Sequence, residues 1–326
     1  MKQKKKISEL WILAFMLLAL IIPSLITLNT IQEPRPLVPL TTPNASPYGY
    51  TWSLSLFIVP CIILLTWLHF SKEHRIQLGA FWLTVVLMAT LGLLLDIFLG
   101  LTFFTFNNTG ATLGIHFWGY SFTNGWQKLI PIEEVGFYAS GCLAILLVYI
   151  WSNECWLEKY KVDKWPPRFP RLKDAVSFHP ASAISGVVLI VLGFLFKKYF
   201  PGVDHEGFPG YYIFIVAVAI TPSIVFYEVA APFVNWRAYS LAFFSTMLVS
   251  LFWEGALAVP YQWWGYNPKQ MLGFFLNGLS GLPVEEPILW IAASWAIVII
   301  FETINSFFHM KLLRIEQVLE NKPVSK

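Results

Sequence analysis

Charged residues are scarce in this sequence. Asp, Glu, Lys and Arg together form 13% of the 326 residues, whereas hydrophobic residues form 56% and the mean hydropathy is +0.61. A chain with so few charges cannot cover this apolar content with a polar surface. The composition therefore excludes a water-soluble enzyme and indicates a protein with several membrane-spanning segments.

Residues that form disulfides, metal sites or nucleotide sites are also few. The 3 cysteines, Cys61, Cys142 and Cys155, have no C-x-x-C or Cys/His spacing, and the 6 histidines are scattered. No G-x-G-x-x-G string opens a βαβ unit. We therefore expect no disulfide framework, no metal site and no redox pair, and the sequence identifies no cofactor.

Long apolar runs, by contrast, fill most of the chain. A helix rises 1.5 Å per residue, so about 20 apolar residues cross a bilayer. Eight runs are long enough, at residues 10–28, 52–70, 79–101, 133–151, 183–200, 211–229, 238–259 and 285–308. The first follows a cluster of lysines, but its length and the lack of a cleavage site predict an uncleaved anchor. We predict an all-α, polytopic membrane protein with about eight transmembrane helices.

The positions of the basic residues predict the orientation of these helices. If the N-terminus is cytoplasmic, most of the 22 Lys and Arg residues fall in cytoplasmic segments, and basic and non-basic loops alternate through all the spans. This alternation is the positive-inside pattern. Both termini are then cytoplasmic, and the basic segment 152–180 is a cytoplasmic linker that faces lipid headgroups rather than nucleic acid.

One order of residues occurs twice. An acid near the outer end of a span is followed by Trp-Gly-Tyr and then by Pro-x-Glu-Glu at the start of the next span. The first copy is Asp96, Trp118-Gly119-Tyr120 and Pro131-Ile132-Glu133-Glu134, and the second is Glu254, Trp264-Gly265-Tyr266 and Pro283-Val284-Glu285-Glu286. This repetition predicts two membrane repeats, 1–151 and 181–310, followed by a cytoplasmic tail, 311–326. Because each repeat holds an even number of helices, we expect parallel repeats with both motifs on the outer side.

The paired glutamates have a structural and a chemical interpretation. Proline at the first position and glutamate in the first turn both favour the start of a helix, which would explain a single copy. Two copies, each with a further acid inside a span, indicate a functional site, because charge within a membrane is costly. Adjacent helical residues lie about 100° apart, so one glutamate of each pair is expected to face the interior. Burial and a second carboxyl group raise the pKa of a carboxyl group, whereas the helix N-terminus lowers it. If the first two effects dominate, one acid per site stays protonated and can donate a proton to an alkene.

The Trp-Gly-Tyr strings add aromatic rings to this interpretation. The faces of such rings stabilise a carbocation without trapping it. We therefore predict that Trp118, Tyr120, Trp264 and Tyr266 line the site. The alternative is the aromatic belt of a membrane interface, to which most of the 15 tryptophans are expected to belong.

The repeated order of acid, Trp-Gly-Tyr and Pro-x-Glu-Glu resembles the lycopene cyclases of the heterodimeric and fused integral-membrane type. The resemblance covers residues 78–151 and 241–308. It implies a bacterial cytoplasmic membrane enzyme that cyclises the ψ-ends of a lipophilic polyene such as lycopene. It also implies that Glu133, Glu134, Glu285 and Glu286 are the essential acids, joined less directly by Asp96 and Glu254. The chain departs from the usual pattern in an insertion around 106–114 and in having four predicted spans per half where three are typical.

On this hypothesis the reaction is an isomerisation. A protonated glutamate adds a proton to the terminal double bond, the neighbouring double bond closes a six-membered ring, and a carboxylate removes a proton to leave a β- or ε-ring. Alternatives are a carotenoid hydratase, another terpenoid cyclase, or a non-enzymatic proton-coupled transporter, for which buried acids in parallel repeats are equally natural. The sequence leaves open the acid and base assignment, the ring isomer, the number of ends cyclised and the oligomeric state.

Overall fold

The structure is a computed structural model. It describes residues 46–70, 77–161 and 180–320, together with Leu18 and Ile22, and it describes side chains as far as His309. Apart from Leu18 and Ile22, the predicted span 10–28 lies outside the described residues.

Seven helices in the described part of the chain are long and apolar enough to cross a membrane. They are α1 Gly49–Phe70, α2 Leu78–Phe103, α3 Glu133–Trp156, α4 Pro180–Tyr199, α5 Gly210–Ala230, α6 Trp236–Ala258 and α7 Glu285–Glu320. The prediction of a mostly helical chain is confirmed, and the bounds of the predicted runs differ from most of these helices by a few residues. The larger differences are at α3 and α7, which continue into the segments that the sequence assigned to the linker and the tail.

The helices form an inner group and an outer group. In an apolar 18-residue stretch of each helix, 50%, 50% and 56% of the residues are buried in α3, α6 and α7. The corresponding share in the other four helices is 22% to 28%. Helices α3 and α7 pack against each other and against both α2 and α6, while α1 packs on α3, α5 on α7 and α4 on α5. The outer helices expose apolar side chains such as Val59, Val86 and Ile184. A surface of this kind is suited to lipid rather than water.

Short strands fold the connections over one end of the helices. Strand β1 Phe104–Thr105 pairs with β4 Gly265–Tyr266, β2 His116–Ser121 with β3 Gly125–Pro131, and β5 Phe275–Leu276 with β6 Leu282–Pro283, each pair antiparallel. The sequence analysis did not predict these strands. The β1–β4 pair joins the two halves, and the other two pairs are hairpins that lead into α3 and α7.

The two halves are related by an approximate two-fold arrangement. Asn108 Nδ2 donates to the carbonyl of Tyr261 at 2.9 Å, and Asn267 Nδ2 donates to the carbonyl of Thr102 at 3.0 Å. Each asparagine precedes a short 3₁₀ turn that leads into a Leu-Gly dipeptide, Leu113-Gly114 or Leu272-Gly273. Both of these glycines have a positive φ, +75° and +89°. These contacts make α1, α2 and α3 the counterparts of α5, α6 and α7.

This arrangement corrects the sequence alignment of the two halves. Trp118 follows the Leu-Gly dipeptide of its half, whereas Trp264 precedes that of the second half, so the two Trp-Gly-Tyr strings are not counterparts. The segments from acid to dipeptide, 96–113 and 254–272, are nearly equal in length. The extra residues of the first half therefore lie in the β2–β3 hairpin and not around 106–114.

Candidate active site

The two acids within spans lie at matching irregularities of their helices. Asp96 begins a π-helical turn, Asp96–Gly100, in α2, and Glu254 lies in another, Trp253–Ala258, in α6. A π-helical turn adds a residue to the helical repeat and is frequent at functional sites. The side chains of Asp96 and Glu254 are buried, with 0% and 1% exposure.

Acids from both halves meet at one cavity. Glu134 at the start of α3, Glu286 at the start of α7 and Glu254 of α6 line a cavity of about 30 Å³. The remaining lining is mostly aromatic: Tyr50, Phe104, Phe106, Phe137, Tyr138, Tyr211, Trp253, Trp264 and Leu289. We call this space the acid cavity. Because α3 and α7 both begin at it, these two helices run in the same direction.

In the first half, Glu134 is held between a tyrosine and a second acid. The hydroxyl of Tyr50 donates to Glu134 Oε1 at 2.7 Å. The carboxyl group of Asp96 adjoins the carboxyl group of Glu134 and the hydroxyl of Tyr138. Within the described part of the chain, neither oxygen of Asp96 has an N–H or O–H donor at hydrogen-bond distance. A buried carboxylate without nearby hydrogen-bond donors is unfavourable in free energy. This geometry therefore favours one proton shared between the carboxyl groups of Asp96 and Glu134.

The second half repeats this arrangement with more donors. Glu286 adjoins the hydroxyls of Tyr211 and Tyr266 and the carboxyl group of Glu254. The indole of Trp290 donates to Glu254 Oε1 at 2.9 Å. The second acid pair, Glu254 and Glu286, therefore has a direct N–H donor that the pair of Asp96 and Glu134 does not have.

Four of these partners form two pairs of repeated residues that the sequence analysis missed. Tyr50 and Tyr211 each follow a glycine at the start of α1 or α5. Tyr138 and Trp290 each lie four residues after the second glutamate of a motif, which is one turn along the same face of the helix. A search for Gly-Tyr pairs and for aromatic residues at this spacing would have found these residues as repeats, but not the acids that they contact.

The first glutamate of each motif has a different neighbourhood. Glu133 Oε1 accepts from the backbone N–H of Leu113 at 2.7 Å and from Thr51 Oγ1 at 2.6 Å. Glu285 Oε1 accepts from the backbone N–H of Leu272. Neither side chain lines the acid cavity. Glu133 and Glu285 therefore hold the Leu-Gly turns, while Glu134 and Glu286 face the cavity.

The second Trp-Gly-Tyr string lies at the site. Trp264 lines the acid cavity and donates from Nε1 to the hydroxyl of Tyr266 at 3.0 Å. Loss of hydration and the nearby Glu286 and Glu254 raise the pKa of Tyr266 well above its usual value. Tyr266 therefore keeps its proton and can donate it in a hydrogen bond to Glu286. Tilted rings pack around this point, with centroids 5.0 Å apart for Tyr50 and Trp264 and 4.9 Å for Trp253 and Trp264.

The first Trp-Gly-Tyr string does not reach the acids. Trp118 is 57% exposed on the β2–β3 hairpin, and Tyr120 packs on Phe122 and Trp126 of that hairpin at 5.4 and 5.5 Å. Neither Trp118 nor Tyr120 lines the acid cavity. The longer β2–β3 hairpin places both residues away from the acids. The rings of Tyr50, Phe137 and Trp253 surround the acids instead.

Comparison with known proteins identifies no family for this chain. No family model, no curated protein and no solved structure matches it. We therefore infer its function from the residues of the acid cavity.

Proposed function

We propose that the chain is an integral-membrane carotenoid cyclase of the lycopene cyclase type. The observation that carries this proposal is the meeting of Glu134, Glu254 and Glu286 in one aromatic cavity inside an apolar helical bundle. Proton-initiated ring closure needs an acid, a base and ring faces that stabilise a passing cation. The residues of the acid cavity supply all three.

The carboxyl pairs hold the proton that starts the reaction. Two adjoining carboxylates repel each other strongly where the dielectric constant is low, so each pair retains one proton. The pair of Asp96 and Glu134 and the pair of Glu254 and Glu286 each titrate as a unit. Glu134 and Glu286 face the cavity and make the transfers, and Asp96 acts behind Glu134 as a positioning residue.

The reaction is balanced without a redox partner. The O–H bond of one carboxyl group breaks, and its proton forms a C–H bond at the terminal double bond of the polyene. The resulting cation is attacked by the neighbouring double bond, which closes a six-membered ring. A carboxylate of the other pair then removes a ring proton, and the electrons of that C–H bond become the ring double bond. Trp253 and Trp264 keep water from trapping the cation as an alcohol.

The proposal includes an arrangement in the membrane. We infer about eight transmembrane helices in two parallel four-helix repeats, with both termini on the cytoplasmic side of a bacterial cytoplasmic membrane. The alternation of basic loops and the common direction of α3 and α7 support this arrangement. The acid cavity then lies towards the outer side, and the partners of the chain are the lipid bilayer and a polyene such as lycopene.

Pigment analysis of a lycopene-accumulating bacterial host tests the proposal. The wild-type chain should convert lycopene to one- or two-ringed carotenes, and Glu134→Gln and Glu286→Gln should each abolish the conversion at equal protein level. Unchanged lycopene beside a well-expressed, folded wild-type chain would contradict the cyclase. A hydroxylated product would identify a hydratase that uses the same first step.

One observation favours the transporter as a second candidate. A more polar pocket of about 330 Å³, lined in part by Thr105, Asn107 and Gln262, shares Trp264 with the acid cavity. Such a pocket offers protons a path from the acids to the end of the bundle. A transporter would leave lycopene unchanged and show pH-driven flux in vesicles that Glu134→Gln and Glu286→Gln abolish.

A further inference from the structure

A second, apolar cavity adjoins the acid cavity. It has a volume of about 120 Å³ and lies between α2, α3, α5 and α7. Phe137, Tyr138 and Leu289 line both cavities, so the two spaces are direct neighbours that share these side chains. We call the second space the chain cavity.

The chain cavity is elongated and reaches the surface of the helices. It extends along α3 from Phe137 to Ile145 and along α7 from Leu289 to Ile297. Each stretch is about 12 Å long, because a helix rises 1.5 Å per residue. Partly exposed side chains of α2 and α5, such as Leu91 and Val218, line its outer side. The cavity therefore lies close to the lipid-facing surface between α2 and α5.

The approximate two-fold arrangement predicts a counterpart of this cavity between α6, α7, α1 and α3. Two larger side chains fill that counterpart. Trp253 occupies the position equivalent to Leu95 of the first half, and Phe57 of α1 occupies the position equivalent to Val218 of α5. Phe57 and Trp253 are 2% and 0% exposed, and their ring centroids are 5.3 Å apart. Phe57 also stacks on Trp290 at 6.0 Å. The large rings thus occupy the space that is open on the other side.

We propose that the chain cavity binds the unreacted part of a long polyene while one acyclic end lies between the acids, so that one end is cyclised per binding event. The occupant must be apolar, because the lining offers almost no polar atoms, and elongated, because the cavity is. It must also continue into the acid cavity, which links it to the reacting end. The proposal rests on the proposed cyclase for that end, but chain binding can be measured without the reaction.

Filling the chain cavity provides the test. A Cβ at Gly141 would lie 3.7 Å from the ring of Trp290, an ordinary contact, so Gly141→Leu places its remaining atoms in the cavity. Ala139→Leu is the matched control, since Ala139 lies on α3 about 200° away around the helix and does not line the cavity. Ala293→Leu enters the same cavity from α7 and serves if Gly141→Leu does not fold.

Binding and turnover are measured separately. Lycopene binding is followed by quenching of tryptophan fluorescence in nanodiscs, in the Glu134→Gln background so that no reaction occurs. Gly141→Leu should weaken binding by about tenfold or more, since part of the chain loses its apolar site, and Ala139→Leu should change it by less than about twofold. In the active background the same difference should appear in KM more than in kcat.

The outcomes separate this proposal from the cyclase itself. Weaker binding in Gly141→Leu alone supports the chain cavity whether or not the wild-type chain cyclises lycopene. Cyclisation with equal KM for Gly141→Leu and Ala139→Leu would overturn the chain cavity and leave the cyclase. No lycopene binding by the folded protein would overturn both. A time course in which two-ringed product appears without a free one-ringed intermediate would overturn the single end per binding event.

Discussion

The two halves of the molecule hold their acids in the same geometry but with different donors. Asp96 adjoins the phenol of Tyr138, whereas Glu254 accepts a direct bond from the indole of Trp290. A phenol can donate or accept a hydrogen bond, but an indole N–H can only donate. Oε1 of Glu254 can therefore only accept a hydrogen bond from Trp290, whereas either Asp96 or Tyr138 can be the donor in their contact. The acid pairs are equivalent in position and unequal in chemistry.

The halves also differ in what lies beside the acids. The space beside α2 and α5 is open, and its counterpart beside α6 and α1 is filled by Trp253 and Phe57. A repeated scaffold thus brings two acid pairs to one site but leaves one apolar route to it. The following predictions test how far the halves are equivalent.

The largest effect should separate the two glutamates within each motif. Glu134→Gln and Glu286→Gln should each lower the rate of lycopene cyclisation by about 1000-fold, because each removes a proton-transfer group. Glu133→Gln and Glu285→Gln should each lower that rate by less than about threefold, because the amide oxygen still accepts a hydrogen bond from the N–H of Leu113 or Leu272. The measurement is the initial rate of lycopene loss in membranes with matched protein levels. Equal losses for Glu133→Gln and Glu134→Gln would contradict the division of roles.

The next effect should separate the two Trp-Gly-Tyr strings. Trp264→Ala should lower the rate by about 30-fold, because it removes a ring face from a desolvated cation site. Trp118→Ala should change it by less than about twofold, since this exposed ring lies on the β2–β3 hairpin. Product analysis of purified protein measures both. A large loss for Trp118→Ala would show that the hairpin takes part in the site.

A smaller effect should show the unequal donors. Trp290→Phe should lower the rate by about tenfold, because Glu254 Oε1 loses a buried hydrogen bond. Tyr138→Phe should lower it by about threefold, because the contact of Tyr138 with Asp96 is looser. The control is the level of each variant in the membrane, which should match that of the wild-type chain. A larger loss for Tyr138→Phe would reverse the order of the two halves.

The smallest effect should report the two-fold arrangement itself. Asn108→Ala and Asn267→Ala each remove one of the exchanged bonds between the halves and should lower stability by similar amounts, about 1–2 kcal/mol. Thermal unfolding in detergent measures the shift, with Asn124→Ala on the β2–β3 hairpin as a surface control. A shift for one asparagine without the other would show that the halves are not held reciprocally.

The sequence predicted the helices well because apolar runs are a local property. Most described helices begin and end close to a predicted run, and α3 and α7 extend beyond theirs. The length needed to cross a bilayer and the turn residues between runs are both visible along the chain. The start of α3 and α7 at equivalent Pro-x-Glu-Glu motifs also followed from the repetition in the sequence. The Trp-Gly-Tyr strings are the exception, because the same three residues occupy non-equivalent positions in the two halves of the fold.

The partners of the acids could not be predicted in this way. Tyr50 contacts Glu134 across 84 residues, and Asn108 contacts Tyr261 across 153. The bonds depend on how α1 packs on α3 and on how the β1–β4 pair joins the halves. No periodicity in the sequence encodes either of these contacts.

The sequence by itself determined the apolar helices, the repetition and the acids at the starts of α3 and α7. The tertiary structure decided which glutamate faces the cavity, which aromatic rings surround it, and that one side is open while the other is filled. The physical reason is that spacing along the chain counts residues, whereas contact depends on direction. A π-helical turn, a longer hairpin or one large ring changes direction and volume without changing the pattern of apolar and polar residues.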